Sequence, residues 1–304
     1  AVSVGVKTIV MDSLFEIDRV AAAAKKHGIR QAVLLRLTPG IEAHTHEKIS
    51  TAHEDVKFGF SIASGAAWAA VEAVAAHPDL ELRGVHCHIG SQIFGSEAHE
   101  IATDRLMGFM AKYRDAYGAE LPELDLGGGF GISYVEGDIT VEPADVLPQI
   151  HAAVKQACST YNLAMPTVSL EPGRNIVGPT MFTLYEVGTV KDVVVDGGKV
   201  RKYVSVDGGM SDNARTALYD AEYTAVIAQR ASSAPLALTR LVGKHCETGD
   251  IIINEIQLPS DITPGDLVAT PATGAYGRSM ASNYNHVPRP PVVAVKNEIG
   301  RAHV

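Results

Sequence analysis

The sequence predicts an α/β domain built on a parallel sheet, followed by a mostly antiparallel β domain. Three observations carry this. Up to about residue 180, short apolar runs of strand type alternate with stretches of helical period. Beyond it, β-branched runs separated by turn residues take over. Three polar, glycine-rich motifs each directly follow one of the early strand runs. Strand–helix alternation implies a parallel sheet, open or closed.

The elements follow in order. Thr8–Met11 is a strand. Ser13, with Glu16 three residues later, forms a capping box that starts a helix. Ile17, Val20, Ala21 and Ala24 repeat with helical spacing, and Gly28 stops it. Ala32–Leu37 is a second strand and Ser64–Ala76 an alanine-rich helix ending before Pro78. Leu82–His88 is a third strand, Glu97–Tyr117 a helix, Leu124–Leu126 a fourth strand, Pro143–Tyr161 a helix and Val168–Leu170 a fifth strand. Thr183–Val195 and Val200–Val206 then flank Asp196-Gly197-Gly198, a hairpin turn signal. Short strands are expected at Leu238–Val242, Ile251–Ile253, Leu267–Ala269 and Val292–Val295.

Bulk properties narrow the function classes. The net charge is −9 and no basic block is present, which argues against nucleic acid or an anionic membrane as partner. No apolar run approaches the ~18 residues of a membrane span, and no signal peptide is legible at the start. Cys87, Cys158 and Cys246 are odd in number and scattered, which points to a reducing cytoplasm.

The motifs are His86-Cys-His-Ile-Gly-Ser-Gln92, Asp125-Leu-Gly-Gly-Gly-Phe-Gly131 and Glu171-Pro-Gly-Arg174. Strand ends are where ligands bind in a barrel or open α/β sheet. Glycines there let backbone N–H groups approach an anion such as a phosphate. His86 and His88, two apart on a strand, share a face. They are a metal pair, a stacking surface for a flat ring, or satisfied core histidines; no third ligand stands out, so no metal is expected. Glu171 at a strand end needs a partner. A protonated pyridine nitrogen, which keeps such a ring an electron sink, is one; an internal ion pair with Arg174 is the other. Cys246 lies among His245, Glu247 and Asp250, a polar setting unlike a core. Arg215 and Tyr219 share a face if helical, and Tyr276 sits between small residues in a loop.

In order, H-C-H-I-G-S-Q, L-D-L-G-G-G-F-G, L-E-P-G-R, M-S-D-N-A-R-T-A-L-Y, C-E-T-G-D and G-A-Y-G resemble the fold-type III pyridoxal-phosphate decarboxylases, from about Val6 to Lys296. The resemblance implies a partial (β/α)8, TIM-like barrel over residues 1–180 and a β-sandwich-like domain over 181–297. It further implies a bacterial homodimer with shared active sites and pyridoxal 5'-phosphate as cofactor. His88 would stack on the cofactor ring. Ser91 and the backbone of Gly128 and Gly129 would hold the phosphate, with Gly173 and Arg174 nearby, and Glu171 would pair with the ring nitrogen. Arg174, Arg215, Tyr219 and Glu247 would bind substrate. Cys246 would be the proton donor and Tyr276 would touch cofactor and substrate. The implied activity is decarboxylation of meso-2,6-diaminopimelate to L-lysine and CO2, the last step of lysine synthesis. Arg215 and Glu247 set it apart from sister decarboxylases of ornithine, arginine or lysine. A catalytically dead homologue acting as a binding protein is the third possibility.

The family's cofactor lysine lies in a Y-A-x-K-A-N-type strand, and no such motif occurs in this sequence; Lys7, in Gly-Val-Lys-Thr-Ile-Val, is not a substitute. About five of eight barrel strands are recognisable. A barrel does not close on five, so the 304-residue chain by itself is expected to be an unstable, inactive fragment. Residues 298–304 match the in-frame translation of a sequencing adapter and are expected to be a non-native tail.

Overall fold

The computed structural model describes residues 1–40, 57–296 and 299–303. The chain divides into two compact units, residues 1–131 with 140–173, and residues 132–139 with 174–304.

The first unit is a parallel sheet with helical crossovers. Its elements are β1 (Thr8–Met11), α1 (Leu14–His27), β2 (Gln31–Thr38), β3 (Phe60–Ser61), α2 (Ala66–Ala75), β4 (Leu80–His86), α3 (Glu97–Tyr117), β5 (Glu123–Gly128), α4 (Pro143–Tyr161) and β6 (Thr167–Glu171). The strand order is β1-β2-β4-β5-β6, with β3 paired to the end of β2. Among the described residues that is six strands, one more than the sequence predicts. β3 is only two residues long, too short to leave an apolar run.

Local chemistry sets the helix ends. The Ser13 hydroxyl accepts from the Glu16 N–H while the Glu16 carboxylate accepts from the Ser13 N–H, the expected capping box. Gly28 closes α1 in the left-handed conformation. Pro143 opens α4 at its first turn, where no donor is lost. α3 and α4 have the bounds the sequence predicts. Met11, Leu35, Leu106, Leu124, Leu126 and Ile150 fill a core between sheet and helices. Burial of such side chains contributes roughly 1.5–3 kcal/mol each.

The second unit is a six-stranded mixed sheet of order β11-β10-β8-β7-β12-β9. After α5 (Gly173–Val177) come β7 (Phe182–Val194), β8 (Val200–Val206), α6 (Arg215–Tyr219), β9 (Val226–Ile227), β10 (Leu236–Val242), β11 (Ile251–Pro259), β12 (Leu267–Pro271) and α7 (Gly277–Met280). β7 pairs with β12 through Phe182–Glu186 and with β8 through Val187–Val194. The predicted turn joins β7 to β8, closed by the Val195 N–H donating to the Lys199 carbonyl at 2.8 Å. β8 and β10 run parallel and the other pairs antiparallel. Tyr185, Val204, Leu241, Ile252 and Val268 form the core. Ile132 and Tyr134 belong to this unit, a departure that strand–helix alternation does not reveal. β13 (Val292–Lys296) and β14 (Ile299–His303) make a separate antiparallel pair. Asn297, Glu298 and Val304, at the edges of the expected tail, lie outside the described residues.

Candidate active site

In the first unit, β4, β5 and β6 end side by side, and each end is one of the three motifs. Register places His86 opposite Asp125 and Gly128 opposite Glu171. Two glycines let the ends close up. A Cβ on Gly128 would stand 2.1 Å from the Glu171 carbonyl oxygen. Gly129 has φ +98°, and its Cβ would stand 2.3 Å from the Gly90 carbonyl oxygen. The Ile93 N–H donates to the Gly129 carbonyl at 2.9 Å, and the Gly131 N–H to the Ile93 carbonyl at 3.0 Å, tying the first two motifs together.

The strand ends at His86, so alternation does not carry through to His88 as the sequence implies; the two histidines have separate settings. His86 is buried, with Nε2 3.5 Å from Glu171 Oε1. That contact is the main reason the Glu171 carboxyl titrates below the usual carboxylate range. Burial pushes the Asp125 carboxyl the other way, although it accepts the Gly127 N–H at 2.9 Å. The two neighbouring carboxyls are thus drawn in opposite directions. His88 is drawn down to about 4, first by burial and then by the Arg36 and His86 charges. Its ring is neutral at pH 7, and its Nδ1 accepts from the Gly128 N–H at 3.3 Å. Below the glycine turn, His99 Nε2 lies 3.3 Å from the Gly128 carbonyl oxygen, and its ring stacks on Phe130 at 5.0 Å.

Among the described residues, ligand atoms of His86, Asp125 and Glu171 lie within 4.8 Å of one another. No third ligand stands out beside His86 and His88 in sequence; the fold brings two carboxylates to His86 from strands far along the chain. Lys7 directly precedes β1, at the opposite end of the parallel sheet from the motifs.

Ser91 and Gly173 also lie in the first unit, and the second unit holds Arg174, Arg215, Tyr219, Cys246, Glu247 and Tyr276 in two clusters. Arg174 and Arg215 are both buried. Arg174 donates to the Tyr134 hydroxyl and lies over the Tyr276 ring at 4.8 Å. Arg215, on α6 with the half-buried Tyr219, donates to the Tyr223 hydroxyl at 2.6 Å. Tyr276 takes φ +67°, rare for a bulky side chain and a mark of a constrained loop.

Cys246 and Glu247 lie in the turn between β10 and β11. The buried Asp250 carboxylate organises that turn, accepting the His245 N–H and the Met210 N–H, each at 2.6 Å. His245 is buried against Ser211, 2.8 Å from its hydroxyl, which leaves Cys246 exposed. The Tyr284 hydroxyl donates to the Glu247 carboxylate. Glu171 thus has His86 as its near partner, and the phenol of Tyr134 serves Arg174. The sequence reading passes over Tyr134, Tyr223 and Tyr284.

A neutral imidazole, an ionised carboxylate and glycine N–H groups at parallel strand ends suit a flat phosphate-bearing cofactor with a cationic ring. Residues 1–178 match the family model of the pyridoxal-dependent decarboxylase pyridoxal-binding domain. The chain belongs to the pyridoxal-dependent decarboxylases, and its cofactor is pyridoxal 5'-phosphate. Within that family it groups with the diaminopimelate decarboxylases. It is 53% identical to that of Mycobacterium tuberculosis over 299 residues, covering 97% of this chain and 67% of the relative. It is 45% identical to that of Bacillus subtilis, covering 97% and 66%. The Helicobacter pylori diaminopimelate decarboxylase complexed with L-lysine superposes with a TM-score of 0.86 at 30% identity, covering 99% of this chain and 71% of that one. The chain spans about two thirds of the length of the curated relatives it matches.

Proposed function

We infer that this chain carries most of the active site of a carboxy-lyase that converts meso-2,6-diaminopimelate to L-lysine and CO2. One observation carries the reading: an ionised Glu171 and a neutral His88 share one strand-end cluster with the glycine turn. When bound there, the cofactor supplies an electron sink for the bond that loses CO2. The residues of this chain do the rest. Glu171, whose carboxyl His86 draws further down, holds a proton on the ring nitrogen. His88 presents a neutral face to the ring. Ser91 and the N–H groups of Gly128 and Gly129 hold the phosphate, with Gly173 and Arg174 beside them.

Arg174, Arg215 and Tyr219 bind the substrate, the arginines taking its distal carboxylate, and Glu247 takes its distal ammonium. Cys246 Sγ donates the proton to the α-carbon after CO2 leaves. Tyr276 touches both cofactor and substrate. An exposed Cys246–Glu247 turn suits a residue pair offered to a second copy, so the enzyme works as a homodimer with shared sites. Free cysteines and relatives from Mycobacterium and Bacillus fit a bacterial cytoplasmic enzyme. Among the described residues no helix is long and apolar enough to cross a membrane.

The test is CO2 release from meso-diaminopimelate. It uses the chain alone and the chain joined to the third of the M. tuberculosis relative that it does not cover, called below the completed enzyme. Activity in the completed enzyme, lost on Glu171→Gln, is the expected result. Release from ornithine or arginine at a rate equal to that from diaminopimelate would sink the assignment.

A further inference from the structure

None of the three strand-end motifs contains His99, yet the fold seats it under the glycine turn of the first unit. His99 is the third residue of α3 and is fully buried. An imidazole in such a core is costly unless its N–H is bonded. Here the ring lies flat against Phe130, with planes 2° apart, and Nε2 is 3.3 Å from the Gly128 carbonyl oxygen. The backbone is held as well, because the His99 carbonyl accepts the Thr103 hydroxyl at 2.7 Å. Phe130 in turn bridges to Ile93, the residue that follows the first motif.

Burial draws the His99 pKa below the ordinary 6.5, so the ring is neutral at pH 7 and carries one N–H. A carbonyl oxygen only accepts, so that proton sits on Nε2 and points at Gly128. The peptide unit joining Gly128 to Gly129 is planar and trans, so its N–H points away from its carbonyl. A ring that holds the carbonyl from below therefore turns the Gly129 N–H to the opposite side. Neither glycine has a side chain to restrain that unit, and the imidazole supplies the missing restraint. The same hydrogen bond polarises the amide and makes its N–H a better donor.

We propose that His99 is a positioning residue of the cofactor site, holding the Gly128 carbonyl so that the Gly129 N–H is aimed at the cofactor phosphate. This rests on the proposed function, which gives that N–H the phosphate. The effect is confined to the phosphate, since the hydrogen bond acts on that one peptide unit.

The experiment uses the completed enzyme, freed of cofactor, with His99 unchanged, as His99→Phe and as His99→Gln. Affinity is titrated by absorbance with pyridoxal phosphate and, in parallel, with pyridoxal, which lacks the phosphate. His99→Phe keeps a flat ring against Phe130 and loses the donor. Its affinity for pyridoxal phosphate should fall roughly fivefold, the scale of one neutral hydrogen bond, with its affinity for pyridoxal within twofold. His99→Gln restores an N–H donor, so most of that loss should return. Unchanged pyridoxal phosphate affinity in His99→Phe overturns the proposal. So does an equal loss for both ligands with a lower melting temperature, because that is packing alone. An unmodified enzyme that binds pyridoxal as tightly as pyridoxal phosphate shows that the glycine turn does not hold the phosphate, and then the proposed site fails together with the inference.

Discussion

Replacing Gly129 with alanine isolates what holds the phosphate turn closed. The substitution has two costs. At φ +98° an alanine bears about 1–2 kcal/mol of left-handed strain. Its Cβ would also stand 2.3 Å from the Gly90 carbonyl oxygen and 2.9 Å from Ile93 Cδ1, an overlap with fixed backbone that costs about 1–3 kcal/mol. Gly137 is the internal control, with φ +92° and no heavy atom within 4 Å of its Cβ position. Gly137→Ala therefore carries the strain and none of the overlap. Hydrogen exchange on the completed enzyme reads each loop at its own amides: Ile93 and Gly131 for the first variant, Tyr134 and Val135 for the second. Local opening should become roughly a hundredfold easier in Gly129→Ala, for about 3 kcal/mol, and about fivefold easier in Gly137→Ala, for about 1 kcal/mol. Equal loss of protection in the two variants would refute the packing argument and leave only the backbone conformation as the reason for glycine.

Other outcomes follow from the charges and thiols. His88 has a folded pKa of about 4 against an ordinary 6.5. Its contribution is thus complete above pH 6.5 and is lost as pH falls toward 4, worth up to about 3 kcal/mol before solvent screening is discounted. Glu171, with its pKa held down, acts in the same direction at lower pH. The His88 ring proton in NMR should stay in its neutral position at pH 5.5, and a midpoint at 6.5 contradicts the buried setting. Iodoacetamide should modify exposed Cys246 readily and leave Cys87 untouched, since burial pushes the Cys87 thiol up to about 12; mass spectrometry of the peptides decides. Tyr284→Phe frees the Glu247 carboxylate, so KM for diaminopimelate should rise roughly tenfold with kcat within threefold; an unchanged KM removes Tyr284 from substrate binding.

Features that depend on a few neighbouring residues were legible in the chain. The Ser13–Glu16 box, the Gly28 stop, and the ends of α3 and α4 follow from local hydrogen bonds and local backbone conformation. β3 was not legible, because two residues carry no periodicity and β2 alone stabilises them. The extension of β11 to Pro259, six residues past the expected end, comes from pairing with β10.

By itself the sequence determined the alternation that makes a parallel sheet, the residue types at its strand ends and the family to which they belong. Those are properties of short segments and of motif order, so they survive without a third dimension. Only the tertiary structure decided which group acts on which. His86 lies 85 residues from the Glu171 whose carboxyl it draws down, Tyr134 is 40 residues from Arg174, and Tyr284 is 37 from Glu247. Charge and hydrogen bonding act through a few ångströms of space, and folding, not sequence spacing, makes those few ångströms.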